Sequence, residues 1–181
     1  MSETSLVDGL IFCTPDEIDE SEYNSYIQEF LDANEEVVPG AAHKPEISFK
    51  TWLTRCSNES RGTNLEPGRV PGTLYFLVNK QTAKILGCIN IRHRLNGKLI
   101  QAGGNIGYGV RPSERQKGYA TLMLKFALTK CKELGIEKVL VTCASSNKPS
   151  EKTILKCGGI FENEISDYLD GKLVKRFWIK C

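Results

Sequence analysis

Ile106-Gly107-Tyr108-Gly109-Val110-Arg111-Pro112-Ser113-Glu114-Arg115-Gln116-Lys117-Gly118-Tyr119-Ala120 is the stretch on which the fold turns. An apolar, glycine-bearing run that reads as a strand (104–110) feeds a polar loop, and the loop feeds a long helix. The helix opens near Lys117 and places Ala120, Leu124, Ala127, Leu128, Cys131 and Leu134 at helical spacing, with Gly135 as its stop. The first turn of a helix carries N–H groups without intrahelical partners, and the helix dipole adds partial positive charge there. Arg115 and Lys117 add whole charges, Gly118 lets a ligand come close to the backbone, and Ala120 keeps the next position small. The pattern describes a cradle for a diphosphate. The dipole alone is worth about 0.3–2 kcal/mol, so several amides and at least one side-chain charge must act together. Two other phosphate-binding patterns fail on spacing. No Gly-Lys-Ser/Thr occurs in this segment, and Gly104, Gly107 and Gly109 sit inside the strand instead of after it.

Outward from this stretch, the chain reads as alternating strands and helices. Leu6 to Phe12 is a candidate first strand. Thr14-Pro15-Asp16-Glu17 is a helix start, with Ser21 as a competing cap, and either leads into the apolar stripe Tyr23, Tyr26, Ile27, Phe30 and Leu31. Phe49, Trp52, Leu53 and Cys56 after Ser48 predict a second helix. A breaker-rich stretch from Ser57 to Gly72 reads as a long loop. Strands follow at 74–78 and 85–91, and Asn96-Gly97 signals a two-residue hairpin. Beyond the long helix come a buried strand from Lys138 to Cys143, a shorter helix from about Asn147 to Lys156, and a closing hairpin turning at Asp170-Gly171. The predicted order is β-α-α-β-β-β-α-β-α-β-β, an α/β arrangement with a mixed sheet.

At 181 residues the expectation is a single domain (1–181), large enough to bury roughly 70% of its unfolded surface. No apolar run is long enough to span a bilayer, and Met1-Ser2-Glu3-Thr4-Ser5 has neither a basic segment nor a long apolar one, so no membrane partner or secretory signal is expected. Lys and Arg number 24 against 22 Asp and Glu, a net charge of +2 without the basic excess of a dedicated nucleic-acid binder. The seven cysteines are odd in number, scattered and without C-x-x-C, which points to reduced core thiols in a cytoplasmic protein and to no metal site.

On these residues the chain resembles the GNAT N-acetyltransferase superfamily. Its acetyl-CoA loop, R/Q-x-x-G-x-G/A between the fourth strand and third helix, is matched by Arg115-Gln116-Lys117-Gly118-Tyr119-Ala120. The preceding strand is matched by Tyr108-Gly109-Val110. The later strand, Asn and helix are matched by 139–143, Asn147 and 150–156. Gly158-Gly159 after the fourth helix is similar to one bacterial subgroup of sequence-assigned acetyltransferases. The resemblance covers roughly Leu74 to Lys180. It implies a GNAT-like mixed, mostly antiparallel central sheet, flanked by helices, whose fourth and fifth strands splay apart around a bulge on the fourth. Residues 74–181 would form the acetyl-CoA core and 1–73 the variable acceptor side. Acetyl-CoA would be the co-substrate, held by Tyr108, Val110, Arg115, Gln116, Lys117, Gly118, Tyr119, Ala120 and Asn147, with the pantetheine arm pairing to strand backbone near Tyr108 and Val110. A homodimer is common among such enzymes.

The implied activity is acetyl transfer to a primary amine by direct attack in a ternary complex. A lysine-like amine must first lose its proton at pH 7, at a cost of roughly 4.6 kcal/mol. The family's strand-four Glu has no counterpart, because no carboxylate lies between Ile91 and Val110. The general-acid Tyr, seven residues past the Asn, falls on Ile154, and Tyr119 and Tyr168 would replace it only by accident of folding. His93, at the end of the third strand and one of two His, is the candidate base, expected to approach Asn105. Cys143 lies near the expected thioester, but direct attack is the commoner family route. These missing groups keep open a non-catalytic acyl-CoA sensor as the alternative.

Overall fold

The computed structural model describes residues 9–44, 46–167 and 171–181. Among the described residues, seven strands form one sheet: β1 (Leu10–Cys13), β2 (Gly72–Asn79), β3 (Ile85–Arg92), β4 (Ile106–Val110), β5 (Lys138–Ala144), β6 (Ile160–Ser166) and β7 (Leu173–Lys180). Their order is β1-β2-β3-β4-β5-β7-β6, and only the β4–β5 pairing is parallel. The helices are α1 (Glu20–Asp32), α2 (Phe49–Arg61), α3 (Tyr119–Glu133) and α4 (Lys148–Lys156). This is the predicted order of elements. One apolar cluster joins α1 and α2 to the sheet through Tyr26, Trp52 and Phe76. The other joins α3 and α4 to it through Met123, Leu124, Ile154 and Val141. β3 is buried along nearly its whole length, as a central strand covered on both faces must be.

The helix starts show how local chemistry sets boundaries. Thr14 and Glu17 form a capping box, but it closes only the 3-10 turn Pro15–Glu17. α1 is capped by neither Thr14 nor Ser21. The Asp19 carboxylate takes that place, accepting the N–H groups of Ser21 and Glu22, and its charge suits the positive end of the helix better than a hydroxyl. Tyr23, Tyr26 and Phe30 are buried as the stripe predicts, whereas Leu31 is 56% exposed. The candidate first strand begins outside the described residues and is seen here only from Leu10. Tyr168 and Asp170 also lie outside them.

Asn96-Gly97 does not make a tight hairpin. A type I′ turn needs positive φ at both residues, and neither has it. Asn96 instead accepts the Leu99 N–H through its side chain and donates to the Gly68 carbonyl, so the chain turns through the helical segment Leu99–Gly103 before entering β4. The expected bulge on the fourth strand is also absent, because β4 pairs with β3 in unbroken register from Ile106 to Val110. The glycines answer a different need. A Cβ on Gly109 would collide with the Val38 carbonyl, since the 38–39 segment crosses β4 at that point.

β4 and β5 pair at one position only, Ile106 with Val141, while β5 stays paired to β7 along its full length. Just before that bridge, Asn105 takes both backbone groups of one residue of β5. Its backbone N–H donates to the Leu140 carbonyl at 2.7 Å, and its side-chain oxygen accepts the Leu140 N–H at 2.9 Å. Its amide nitrogen reaches the Arg92 carbonyl at 3.3 Å, so one residue pins β3, β4 and β5 where the sheet begins to open. Asn105→Leu leaves the buried Leu140 N–H unpaired, a loss of about 1–3 kcal/mol. Urea unfolding checks this, and an unchanged midpoint would contradict the role assigned to Asn105.

Candidate functional site

Beyond Ile106 the two strands part. In an antiparallel pair, residues alternate between pointing their backbone groups at the partner and pointing them away. The bonds Arg92 N–H to Asn105 O and Arg111 N–H to Leu86 O fix that alternation at the two ends of β4. The N–H and C=O groups of Tyr108 and Val110 therefore face the gap left by β5. Val110 O has one neighbour there, the Arg115 Nε at 3.4 Å.

The loop after β4 ends at the N-terminus of α3 with Gln116 and Gly118 both in the left-handed region, at φ +63° and +85°. Among the described residues, no hydrogen-bond acceptor takes the N–H groups of residues 116–121, and the first helical bond runs from Leu122 to the Gly118 carbonyl. Alternating hand in consecutive backbone turns of this kind gathers N–H groups into an anion-binding concavity. Gly118 is needed for its φ, and the space where a side chain would stand is open.

Charges around this loop are ordered. Arg111, almost fully buried, is held by Glu29 (2.6 Å), Glu22 (2.5 Å) and the Ser25 hydroxyl, which fastens α1 to the end of β4. Burial pushes the Glu29 carboxyl up, but the bonds from Arg111 and Ser113 outweigh it and leave it below the ordinary range. Arg115 meets Glu35 through a two-point pair, at 2.8 and 2.5 Å, with its guanidinium 5.9 Å above the Phe30 ring. The bond from Arg115 holds the Glu35 carboxyl low. Lys117 bonds to Glu114 at 2.7 Å.

Two cavities flank the gap between β4 and β5. The first, about 470 Å³, is lined by Tyr108, Val110, Arg115, Gln116, Gly118, Tyr119, Ala120 and Asn147 of the predicted set, together with Phe30, Glu35 and Val38 from the α1 side. Lys117 is the one member of the predicted binding set outside it. The second, about 290 Å³, lies between Arg92, the 102–103 turn, the end of β5 and the 38–40 segment. The two share Val38, Tyr108, Asn147 and Ser150. At this junction the Tyr108 hydroxyl and the Ser150 hydroxyl are 2.9 Å apart, and Asn147 caps α4 by accepting the Ser150 N–H. Burial pushes the Tyr108 phenol up to about 12, so it stays protonated at neutral pH. Burial also raises the Cys143 thiol, which disfavours a thiolate nucleophile.

His93 lines neither cavity. Its Nε2 is 2.9 Å from the Thr73 hydroxyl, which is itself 2.9 Å from Ser60, and burial lowers its pKa. The residue that reaches Asn105 is its neighbour Arg92. Ile154 is fully buried and supplies no acid. Sequence reading missed Ser150, Glu35, Val38 and Arg92. Ser150 had a partial signal, since a residue three past an Asn cap has a fixed place in the first turn, but its pairing with Tyr108 depends on how α4 sits over β4.

Residues 16–160 match the family described as acetyltransferase (GNAT) domain. The chain belongs to the GNAT acetyltransferases. No curated protein sequence matches it. Several solved structures share the GNAT fold. The Salmonella typhimurium acetyltransferase that modifies the N-terminal serine of 50S ribosomal subunit protein L7/L12 is similar with a TM-score of 0.69 at 16% identity, over 99% of each chain. Ribosomal-protein-S5-alanine acetyltransferase from Vibrio fischeri gives 0.66 at 17% identity, over 96% of this chain and 94% of that one. The yncA protein of Salmonella typhimurium, solved with its cofactor acetyl-CoA, gives 0.61 at 8% identity, over 96% and 94%. At such identities the likeness shows the fold. In this GNAT chain, replacing Gly118 by Val forces a β-branched residue into the left-handed region beside the free amides. Calorimetric titration with coenzyme A should show affinity reduced by about tenfold or more, a loss of 1.4 kcal/mol, and wild-type affinity would remove the 116–121 loop from the binding site.

Proposed function

We propose that the protein transfers an acetyl group from acetyl-CoA to a primary amine by direct attack in a ternary complex. The observation that carries this reading is the run of free amides at 116–121 opening onto the same cavity as the unpaired edge of β4. The amides of Gln116, Gly118, Tyr119 and Ala120 would take the diphosphate, with Arg115 turning from Glu35 to share its charge. The backbone of Tyr108 and Val110 would pair with the pantetheine arm as an added strand. An N–H of this edge would polarise the thioester carbonyl. That path leads to the junction where Tyr108, Asn147 and Ser150 meet the second cavity, so the amine enters from that side.

Acetyl-CoA supplies an acyl group on a good leaving thiolate, and the leaving sulfur needs a proton. Ser150 is the donor in this reading, with the protonated Tyr108 hydroxyl behind it. The second cavity is lined by no carboxylate or imidazole among the described residues, so the proton of the amine leaves through water. Residues 1–73 shape the acceptor side through the 38–40 segment, though Phe30 and Glu35 also reach the first cavity. All seven cysteines are free, which supports a cytoplasmic setting.

Release of free thiol from acetyl-CoA, measured with a panel of primary amines, tests the reading. Turnover with at least one amine is expected. Tight coenzyme A binding without turnover across the panel would favour the acyl-CoA sensor instead. For Ser150→Ala, kcat should drop by about 100-fold, the scale of a lost general acid, with coenzyme A affinity unchanged. An unaltered kcat would take the proton-donor role away from Ser150.

A further inference from the structure

Among the described residues, two of the four buried or half-buried arginines have carboxylate partners, and a third, Arg55, is held by the His43 carbonyl. Arg111 has Glu22 and Glu29, and Arg176 has Glu162 at 3.2 Å. Arg92 differs. It lines the second cavity, and one of its terminal nitrogens is spent on the Gly103 and Gly104 carbonyls at 2.9 and 3.0 Å. Among the described residues, no carboxylate pairs with its guanidinium, and its remaining N–H groups have no acceptor. Those nitrogens are not sealed in, because the only buried side-chain nitrogen or oxygen without a partner among the described residues is Arg176 Nε. Burial lowers the pKa of Arg92, and the two charges that act on it, the like-charged Arg69 and the opposite Glu59, pair with each other at 3.5 Å.

A guanidinium drawn partly out of water without a carboxylate in contact is costly, and a carboxylate ligand would meet it with short, charge-assisted, two-point hydrogen bonds. The backbone of Arg92 is itself held at both ends by Asn105, so the group is fixed where the sheet opens. The remaining polar groups that line the cavity are hydroxyls, an amide and a thiol, and no acidic residue among them would welcome a second cation.

We propose that the second cavity is an acceptor subsite for an amine whose own molecule bears a carboxylate, and that Arg92 binds that carboxylate. The proposal rests on the acetyl-transfer reading above and narrows its substrate class: polyamines and other multiply cationic amines are poor acceptors. The carboxylate has two sources, a free amino acid or an acidic side chain close behind a peptide N-terminus, and the chemistry at Arg92 is the same for both.

The test uses matched pairs offered to the full chain with acetyl-CoA: glycine, serine and glutamate against their carboxamides, and N-terminal pentapeptides with Asp at position two or three against the same peptides with Asn. In one arm or the other, kcat/KM should favour the carboxylate member by about tenfold or more, the worth of a hydrogen bond to a charged group. Arg92→Gln, which keeps a donor for the 103–104 carbonyls, should erase the preference while coenzyme A affinity holds. Arg92→Lys should retain part of it. Equal kcat/KM for both members of every pair, or an unchanged preference in Arg92→Gln, overturns the proposal. If no amine turns over, calorimetric titration of the same pairs onto the coenzyme A complex decides it, with equal affinities again counting against. If coenzyme A does not bind, the acetyl-transfer reading fails, and titration onto the free protein still shows whether Arg92 selects carboxylates.

Discussion

The structure depends on the way Asn105 holds Leu140. A parallel pair of strands that stayed zipped would leave no free backbone edge, and a pair that never met would leave the sheet in two halves. Asn105 supplies one backbone and one side-chain bond to the same residue of β5, and β4 and β5 then pair once, at Ile106 and Val141. From there β5 follows β7 and β4 follows β3. The backbone groups of Tyr108 and Val110 that face the gap, both cavities and the position of Arg92 all descend from this division of partners.

Electrostatics then fix what lies beside the opening. The buried Arg111 draws α1 against the end of β4 through Glu22 and Glu29, which brings Phe30, Glu35 and Val38 to the edge of the first cavity. Breaking such a pair by removing one partner strands a buried charge, so this side of the site is rigidly placed. Arg115 is paired at the more exposed Glu35, where solvent screens the interaction and an incoming anion can compete for it. The chain thus separates a buried arginine held by two carboxylates from an exposed one held by a single carboxylate.

Much of this was legible in the sequence because the signals were local. Apolar spacing revealed α3, the Arg115–Ala120 pattern placed a loop at its start, and the alternation of strands and helices gave the order of elements. The misreadings came from competition between local options. Asp19 took the cap that Thr14 and Ser21 also offered, and Asn96 used its side chain to hold a helical turn instead of entering a hairpin. What lay beyond reach was pairing across long separations: Val38 over Gly109, Tyr108 with Ser150, and Arg92 left without a carboxylate among the described residues. No spacing rule joins residues that meet only after the sheet and its covering helices have formed. His93 shows the same limit, since its chemistry suited a base while its backbone placed it beside Thr73.

The central claim is that free backbone amides after β4 receive the anionic part of coenzyme A. Amide hydrogen exchange, followed residue by residue with and without saturating coenzyme A, tests it most directly. The account predicts marked slowing at residues 116–121 and at the Tyr108 and Val110 amides, with β6 and β7 unaffected. Exchange at 116–121 that stays as fast in the saturated complex as in the free protein would contradict it.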